Sequence, residues 1–475
     1  MGPESEGEHG REDGCGHDAS SLREALKGNH RGRYGVAVTR LLFLSLVLLV
    51  GCGGSQPSEP PATTEPSAAV EEPPVEQPPI EQPPVDDGTG PAADSQDVRE
   101  ALASANQLGF DLYARMRGTP GNLVMSPASV HLALSMTYAG ARGETASQMA
   151  SVLHVGPTVD DLGAAYGAAL RSWNSRSPAT LRVANRIFAD RSVPVEDSFV
   201  RLTGQRYGAP LERLDFVGAP DPSRLTINQW VEQRTEDRIA DLLPRGSISP
   251  LTRMVLANAI YFKGTWQTQF APSDTLPRRF QVDGRTEVDV PAMTLQGRFA
   301  WANHPDGVRV LEMPYAGGDL SMVFVLPAER TGAAALPAAE AQLSQASLSR
   351  WRSALQEVEV QVQIPRFRME PPTARLSDHL EALGMPLAFD AQADFGGIAT
   401  LPGGLYISEV YHKAFIEVNE EGTEAAAATA VVMVTRSARP RPEPPRFIAD
   451  HPFLFLLMDR QTGAVLFLGR VSDPR

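Results

Sequence analysis

The residue types that catalyse reactions or bind metals occur in this 475-residue chain, but not at the spacings those chemistries require. From residue 98 onward the histidines are His131, His154, His304, His379, His412 and His451, and none has a neighbour at metal-ligand spacing. Taken singly, each reads as a structural histidine. The two cysteines, Cys15 and Cys52, both precede the globular region. That region therefore has no disulfide, no thiolate metal site and no cysteine nucleophile. No stretch fits a Gly-x-Ser-x-Gly elbow, a Walker loop, a dinucleotide-binding glycine fingerprint or His-Glu-x-x-His. The chain does not read as an enzyme, and neither a metal nor a cofactor is expected.

One stretch is chemically unusual. Asn419-Glu420-Glu421-Gly422-Thr423-Glu424 is a charged turn with a glycine. Ala425 to Thr435 then carries no charge, is small as far as Ala430, and becomes strand-forming from Val431. The run stops at Arg436-Ser437, and Pro440, Pro442, Pro444 and Pro445 follow, which no helix interior or central strand tolerates. Periodicity leaves a buried strand and one turn of a core helix both open. Neither reading uses the fact that an apolar strand ends in a basic residue and an extended tail. That arrangement puts Arg436 on the surface beside a latent strand.

The rest of the chain must position this stretch. At 42% hydrophobic and 21% charged residues, most of it is ordinary globular material with ample core. The net charge of −14 argues against non-specific nucleic-acid binding. Much of that charge is local, because Ser55 to Asp97 holds ten acidic residues and no Lys or Arg. The same segment has eleven prolines and the near-repeat Val75 to Val85. Such a composition buries too little apolar area to offset its chain entropy. Residues 53–97 are therefore expected to be a disordered spacer reaching at most about 130 Å.

Ahead of the spacer, Leu41 to Val50 is a ten-residue apolar run preceded by Arg40. It is too short to span a bilayer and suits a signal-peptide core. It ends Leu49-Val50-Gly51-Cys52, which resembles the lipobox of bacterial lipoproteins, in which the cysteine is lipidated. Residues 1–52 are read as a signal region, with translation starting nearer Val36. Gly53 after the cysteine leans the expected location toward the outer membrane, with ordinary secretion as the alternative.

From about Val98 the pattern is globular to the end and shows no second linker. Helices are expected over Val98–Met116, after the cap Ser126-Pro127, onward to about Trp173, over Leu225–Leu243 and over Leu376–Leu383. Strands are expected over Leu181–Phe188, Met254–Phe262, Val288–Met293, Val308–Met313, Leu320–Leu326, Glu357–Ile364, Leu405–Val418, Phe453–Met458 and Val465–Val471. Helices crowd the first part and strands the second, an α+β layout with large mixed sheets.

In that order the segments resemble the serpin family from Val98 to Arg475. The resemblance is carried by Asn122 to Ser129, by Asn228-Gln229-Trp230-Val231 through Ile239 to Leu243, and by Leu256 to Trp266 (LANAIYFKGTW). Met313-Pro314-Tyr315, Val323 to Pro327, Ile364 to Phe367, Asp450 to Phe453 and Leu468 to Val471 continue it. The hinge and the Arg-Ser pair are especially similar to those of antithrombin.

The resemblance implies three β-sheets with eight or nine helices and an exposed, metastable reactive-centre loop. It places the scissile bond at Arg436-Ser437 and the hinge at Glu420, Gly422, Thr423, Glu424, Ala425, Ala426, Ala427 and Ala428. It places a shutter beneath the sheet at Ser126, Ser129, Asn258 and His412, with Trp266 packed where insertion begins, beside Glu420. Asp289 stands where some members carry a lysine paired to the Glu420 position, so looser loop attachment is expected. The implied activity is suicide-substrate inhibition of trypsin-like serine proteases through a covalent complex, by a monomer whose failure mode is polymerisation. Alternatives are a non-inhibitory binding or storage protein, or an inhibitor of basic-specific cysteine proteases. Pro157 to Trp173 carries Asp160 and Asp161 against only Arg171, so no heparin site is expected.

Overall fold

Ser126 illustrates how local chemistry sets the first elements. Its hydroxyl accepts the Ser129 amide at 3.2 Å, Pro127 fills the first turn, and the helix Pro127–Tyr138 follows. Nearly every side chain of this helix is buried, so it runs through the core instead of lying on it. The helix Gln96–Met116 begins at Ser95, whose side chain caps Val98, two residues before the expected start. Gly143–Leu153 and Val159–Asn174 account for the helical signal up to Trp173. The helix Asp197–Tyr207 was not foreseen; its three fully buried residues are too few for a strong apolar stripe.

The computed structural model describes residues 91–156, 158–329, 335–423 and 443–475. Cys52, Arg436, Ser437, Glu424 and Ala425 to Ala428 lie outside the described residues. Among the described residues there are nine α-helices, and the largest sheet has nine strands. Its path runs Leu123–Met125, Val465–Val471, Phe453–Asp459, Leu320–Pro327, Val308–Pro314, Glu287–His304, Gln356–Pro365 and Arg446–Ile448, with Leu276–Gln281 on the long Glu287–His304 strand. Several of these strands are buried on both faces and read as unbroken apolar runs, as Phe453–Met458 does.

A second sheet positions the site. Its order is Gly422–Thr423, Met254–Thr265, Thr180–Asp190 and Leu211–Leu214. Met254 to Lys263 pairs continuously with Thr180 to Ala189 on one side. On the other side, its strand partner among the described residues is Gly422–Thr423, at Thr265 and Gly264 alone. The opposite flank is formed by two small ladders, Phe367–Met369 with Ile416–Val418 and Ala374–Arg375 with Tyr411–His412. Between the two flanks lies a groove of about 800 Å³. The helix Pro220–Arg234 lies over the outer face, where Trp230 meets Phe188 edge-on at 5.8 Å.

Two expected elements are corrected. The helix over Leu225–Leu243 ends at Arg234. Thr235 donates its hydroxyl to the Val231 carbonyl and accepts the Ile239 amide, and Glu236 and Asp237 take left-handed φ of 47° and 60°. The apolar residues Ile239, Leu242 and Leu243, which prolong the helical pattern, instead line the groove. Among the described residues, the strand expected over Leu405–Val418 forms ladders only at Tyr411–His412 and Ile416–Val418, and Leu405 to Lys413 line the groove.

Candidate functional site

At the end of the Met254–Thr265 strand, where Gly422–Thr423 pairs with it, lies a tight turn. The Asn419 amide donates to the Gly422 carbonyl at 2.9 Å, and the Asn419 side-chain carbonyl accepts the Glu421 and Gly422 amides. Trp266 holds the turn from the wall: its amide donates to the Glu421 carbonyl and its indole N–H to the Asn419 carbonyl at 3.0 Å. Gly422 has φ +153°, and a Cβ there would collide with the Gly264 carbonyl, so only glycine fits. Thr423 shares a hydrogen bond of 2.7 Å with the Tyr315 hydroxyl. Tyr315 stacks on Trp266 with ring centroids 4.4 Å apart, and burial pushes its phenol pKa up, so it stays protonated.

Glu420 is buried and accepts from the Thr275 hydroxyl at 2.5 Å and from Arg366 Nε at 2.6 Å. Burial works to raise its pKa, but the Arg366 guanidinium and the Thr275 hydroxyl outweigh it and hold the carboxyl below the ordinary range. The expectation of looser attachment through Asp289 is corrected by this contact. Asp289 does not reach Glu420; it pairs with Arg279 at 3.4 Å, and Arg366 takes the partnering role.

At the groove itself, the N-terminus of Pro127–Tyr138 touches both walls. The Ser126 amide donates to His412 Nε2 at 3.0 Å, on one wall. The Ser129 hydroxyl donates to Asn258 Oδ1, on the other. Asn258 passes the connection to Asn185 at 2.6 Å, and Asn185 to the Tyr207 carbonyl at 2.8 Å. Burial lowers the His412 pKa to about 4, so its ring is neutral and can accept. Ser126, Ser129, Asn258 and His412 are thus brought together, and Trp266 bonds Asn419 and Glu421, the residues flanking Glu420.

Arg366, Thr275, Tyr315 and Asn185 were not singled out in the sequence, and Asn419 was named only as the start of the charged turn. Arg366 and Tyr315 do fall inside motifs quoted for their strands. Asn185 carried a local signal, as a polar residue on the inward face of an alternating strand.

Nine helices among the described residues, a nine-stranded sheet and a four-stranded sheet whose end is paired by Gly422–Thr423 define an α+β protein. The family described as serpin (serine protease inhibitor) matches residues 103–474. Serpin B6 of Macaca fascicularis is 41% identical over 360 residues, covering 74% of this chain and 93% of its own length. The human leukocyte elastase inhibitor is 38% identical over 387 residues, covering 79% of this chain and all of its own length. The solved structure of cleaved Serpin 42Da superposes with a TM-score of 0.71 at 35% identity, covering 81% of this chain and 100% of that one. The chain belongs to the serpin family.

Proposed function

We propose that this serpin inhibits trypsin-like serine proteases as a suicide substrate, with Arg436-Ser437 as the bond attacked. One observation supports the reading: among the described residues, the free side of the Met254–Thr265 strand is paired only at its end, by Gly422–Thr423, which lead toward the uncharged stretch. An arginine suits the acidic specificity pocket of such proteases. The protease's serine oxygen attacks the Arg436 carbonyl and the Arg436–Ser437 C–N bond breaks. Ser437 leaves as a new amino terminus with a proton from the protease histidine, and Arg436 stays as an ester on the enzyme.

The freed stretch then continues the ladder. Extending the Gly422↔Thr265 register would set Ala425 opposite Phe262, Thr429 opposite Asn258 and Val431 opposite Leu256. The inward side chains would be Thr423, Ala425, Ala427, Thr429, Val431 and Met433, small first and larger later. Thr429, the polar one among those beyond the hinge, would arrive at the polar level of Asn258. About ten ladder bonds at ~1 kcal/mol each supply on the order of 10 kcal/mol, comparable to a domain's whole stability.

Mixing the protein with trypsin should give an SDS-resistant complex and a released fragment starting at Ser437. Clean cleavage without a complex would overturn the inhibitor reading, and a fragment starting elsewhere would move the bond. Ala427→Glu, which sets a charge on the inward face, should leave a substrate that is cut but not trapped. We further propose that a lipid on Cys52 and the spacer 53–97 tether the domain to the bacterial outer membrane. Fatty-acid label should enter the protein and be lost in Cys52→Ala; label retained by that variant sinks the tether.

A further inference from the structure

Where the helix Pro220–Arg234 covers the outer face of Thr180–Asp190, the contact includes cations that the trapping mechanism does not use. Ala184, Arg186 and Phe188 alternate onto that face, and Ala184 and Phe188 pack in one apolar cluster with Trp230 of the helix. Arg186 is partly buried with them, its guanidinium carbon 5.5 Å from the centre of the Trp230 ring. The ring occupies one face of the guanidinium, so the N–H donors must find partners in the guanidinium plane. Glu212, on the neighbouring strand Leu211–Leu214, accepts from Nη1 at 2.6 Å. The edge formed by Nε and Nη2 makes no hydrogen bond among the described residues, and Nε is buried.

Two more groups, both on the helix, lack partners. The Trp230 indole N–H is buried and has no hydrogen-bond acceptor among the described residues. Arg234 follows one turn later on the same side of the helix and is half-buried. Its guanidinium meets no carboxylate among the described residues; burial first, and the Arg186 charge second, push its pKa down. Glu232 stands two positions from both Trp230 and Arg234, a spacing that sends it to another side of the helix. The contact therefore holds two cations against one carboxylate, with two buried donors unmet.

We propose that Arg186, Trp230 and Arg234 form a binding site for a small oxyanion of the phosphate class. The excess of positive charge selects an anion. The free Arg186 edge selects an oxyanion in particular, because two parallel N–H donors match two oxygens of one group. A further oxygen accepts from the Trp230 indole, and Arg234 supplies the second charge from the more open side. A halide offers no pair of oxygens to that edge and binds less well. Since the donors lie between a helix and a strand, the ion must be small. The site is separate from the groove and does not rest on the trapping mechanism.

The test uses the full-length protein with isotope-labelled tryptophan, which gives one indole NMR signal for each of its five tryptophans. Trp230→Phe identifies the Trp230 signal by its loss. Inorganic phosphate, compared with sodium chloride at matched ionic strength, should move that signal in a saturable way. At ten times the dissociation constant it should raise the melting temperature by about 2 °C. Affinity, read by titration calorimetry, should fall on the order of tenfold in Arg234→Gln. It should fall similarly in Trp230→Phe, which keeps a ring under Arg186 and removes the N–H. A Trp230 signal that stays in place, or that chloride moves equally, overturns the site. Wild-type affinity retained by either variant, with native circular dichroism, also overturns it, because the anion then binds elsewhere.

Discussion

At the scale of single residues, the hinge is fastened by a carboxylate that gives up water for two donors. Glu420 is buried while its partner Arg366 keeps nearly half its side chain in solvent, so the pair is screened on one side only. Arg366→Ala would leave the carboxylate with the Thr275 hydroxyl, and the expected loss is about 1–3 kcal/mol in a denaturant titration at neutral pH. The folded pKa of Glu420 lies below its unfolded value, so the clasp contributes fully above the ordinary carboxylate value of about 4.3 and is lost as pH falls through the folded one. The gap between variant and wild type should therefore close in acid. A gap that persists there would assign the effect to packing. The residues around this clasp were unevenly legible. Trp266 and Glu420 stand inside recognisable runs, whereas the pairing of Arg366 with a residue 54 positions later leaves no local pattern. Asp289 carried a visible difference in charge, yet the compensating cation comes from another strand.

At the scale of elements, apolar periodicity located the pieces well and misjudged those bordering the groove. Ile239, Leu242 and Leu243 continue a helical pattern, and Leu405 to Val410 read as part of a strand. Ile239, Leu242 and Leu243 are buried outside any helix, whereas Leu405 to Val410 are half-buried or exposed; both segments line the gap between the flanks, which periodicity does not encode. The elements around that gap are joined by His412, which ties one wall to the N-terminus of Pro127–Tyr138. Only the neutral ring can accept the Ser126 amide. Its folded pKa of about 4 lies below the ordinary 6.5, so the unfolded chain takes up the proton first as pH falls. Stability from this group is complete above about pH 6.5 and drains between there and about 4, by at most about 3 kcal/mol. His131, buried against Tyr166 and also lowered to about 4, acts with the same sign. The denaturation midpoint should decline across that window, and His412→Gln should flatten part of the decline. A slope unchanged in the variant would mean that His412 does not carry the tie.

At the scale of the whole molecule, the fold holds more burial capacity than the described chain uses. The α+β layout and the order of strands were legible, because Phe453–Asp459 and Val465–Val471 are buried runs that a 475-residue sequence displays directly. What the sequence shows less directly is that the edge of Met254–Lys263 facing the groove has no ladder along it among the described residues, a liability that proteins usually cover. On the proposed mechanism the stretch after Thr423 is one cover and a neighbour's stretch another, so polymers are the expected failure. Filling the position should change the stability of the entire domain and not of one element, because the walls are linked through the helix beneath them to the core. On the proposed mechanism, the fraction cut at Arg436 but released from the protease also admits the strand, with no protease attached. An added stability of on the order of 10 kcal/mol in a domain of this size raises the melting temperature by at least about 10 °C. Calorimetry on intact protein and on cleaved protein separated from the trapped complex measures that difference directly. Equal melting temperatures would show that cleavage leaves the strand outside the sheet, and the groove would then be a structural gap with no part in trapping.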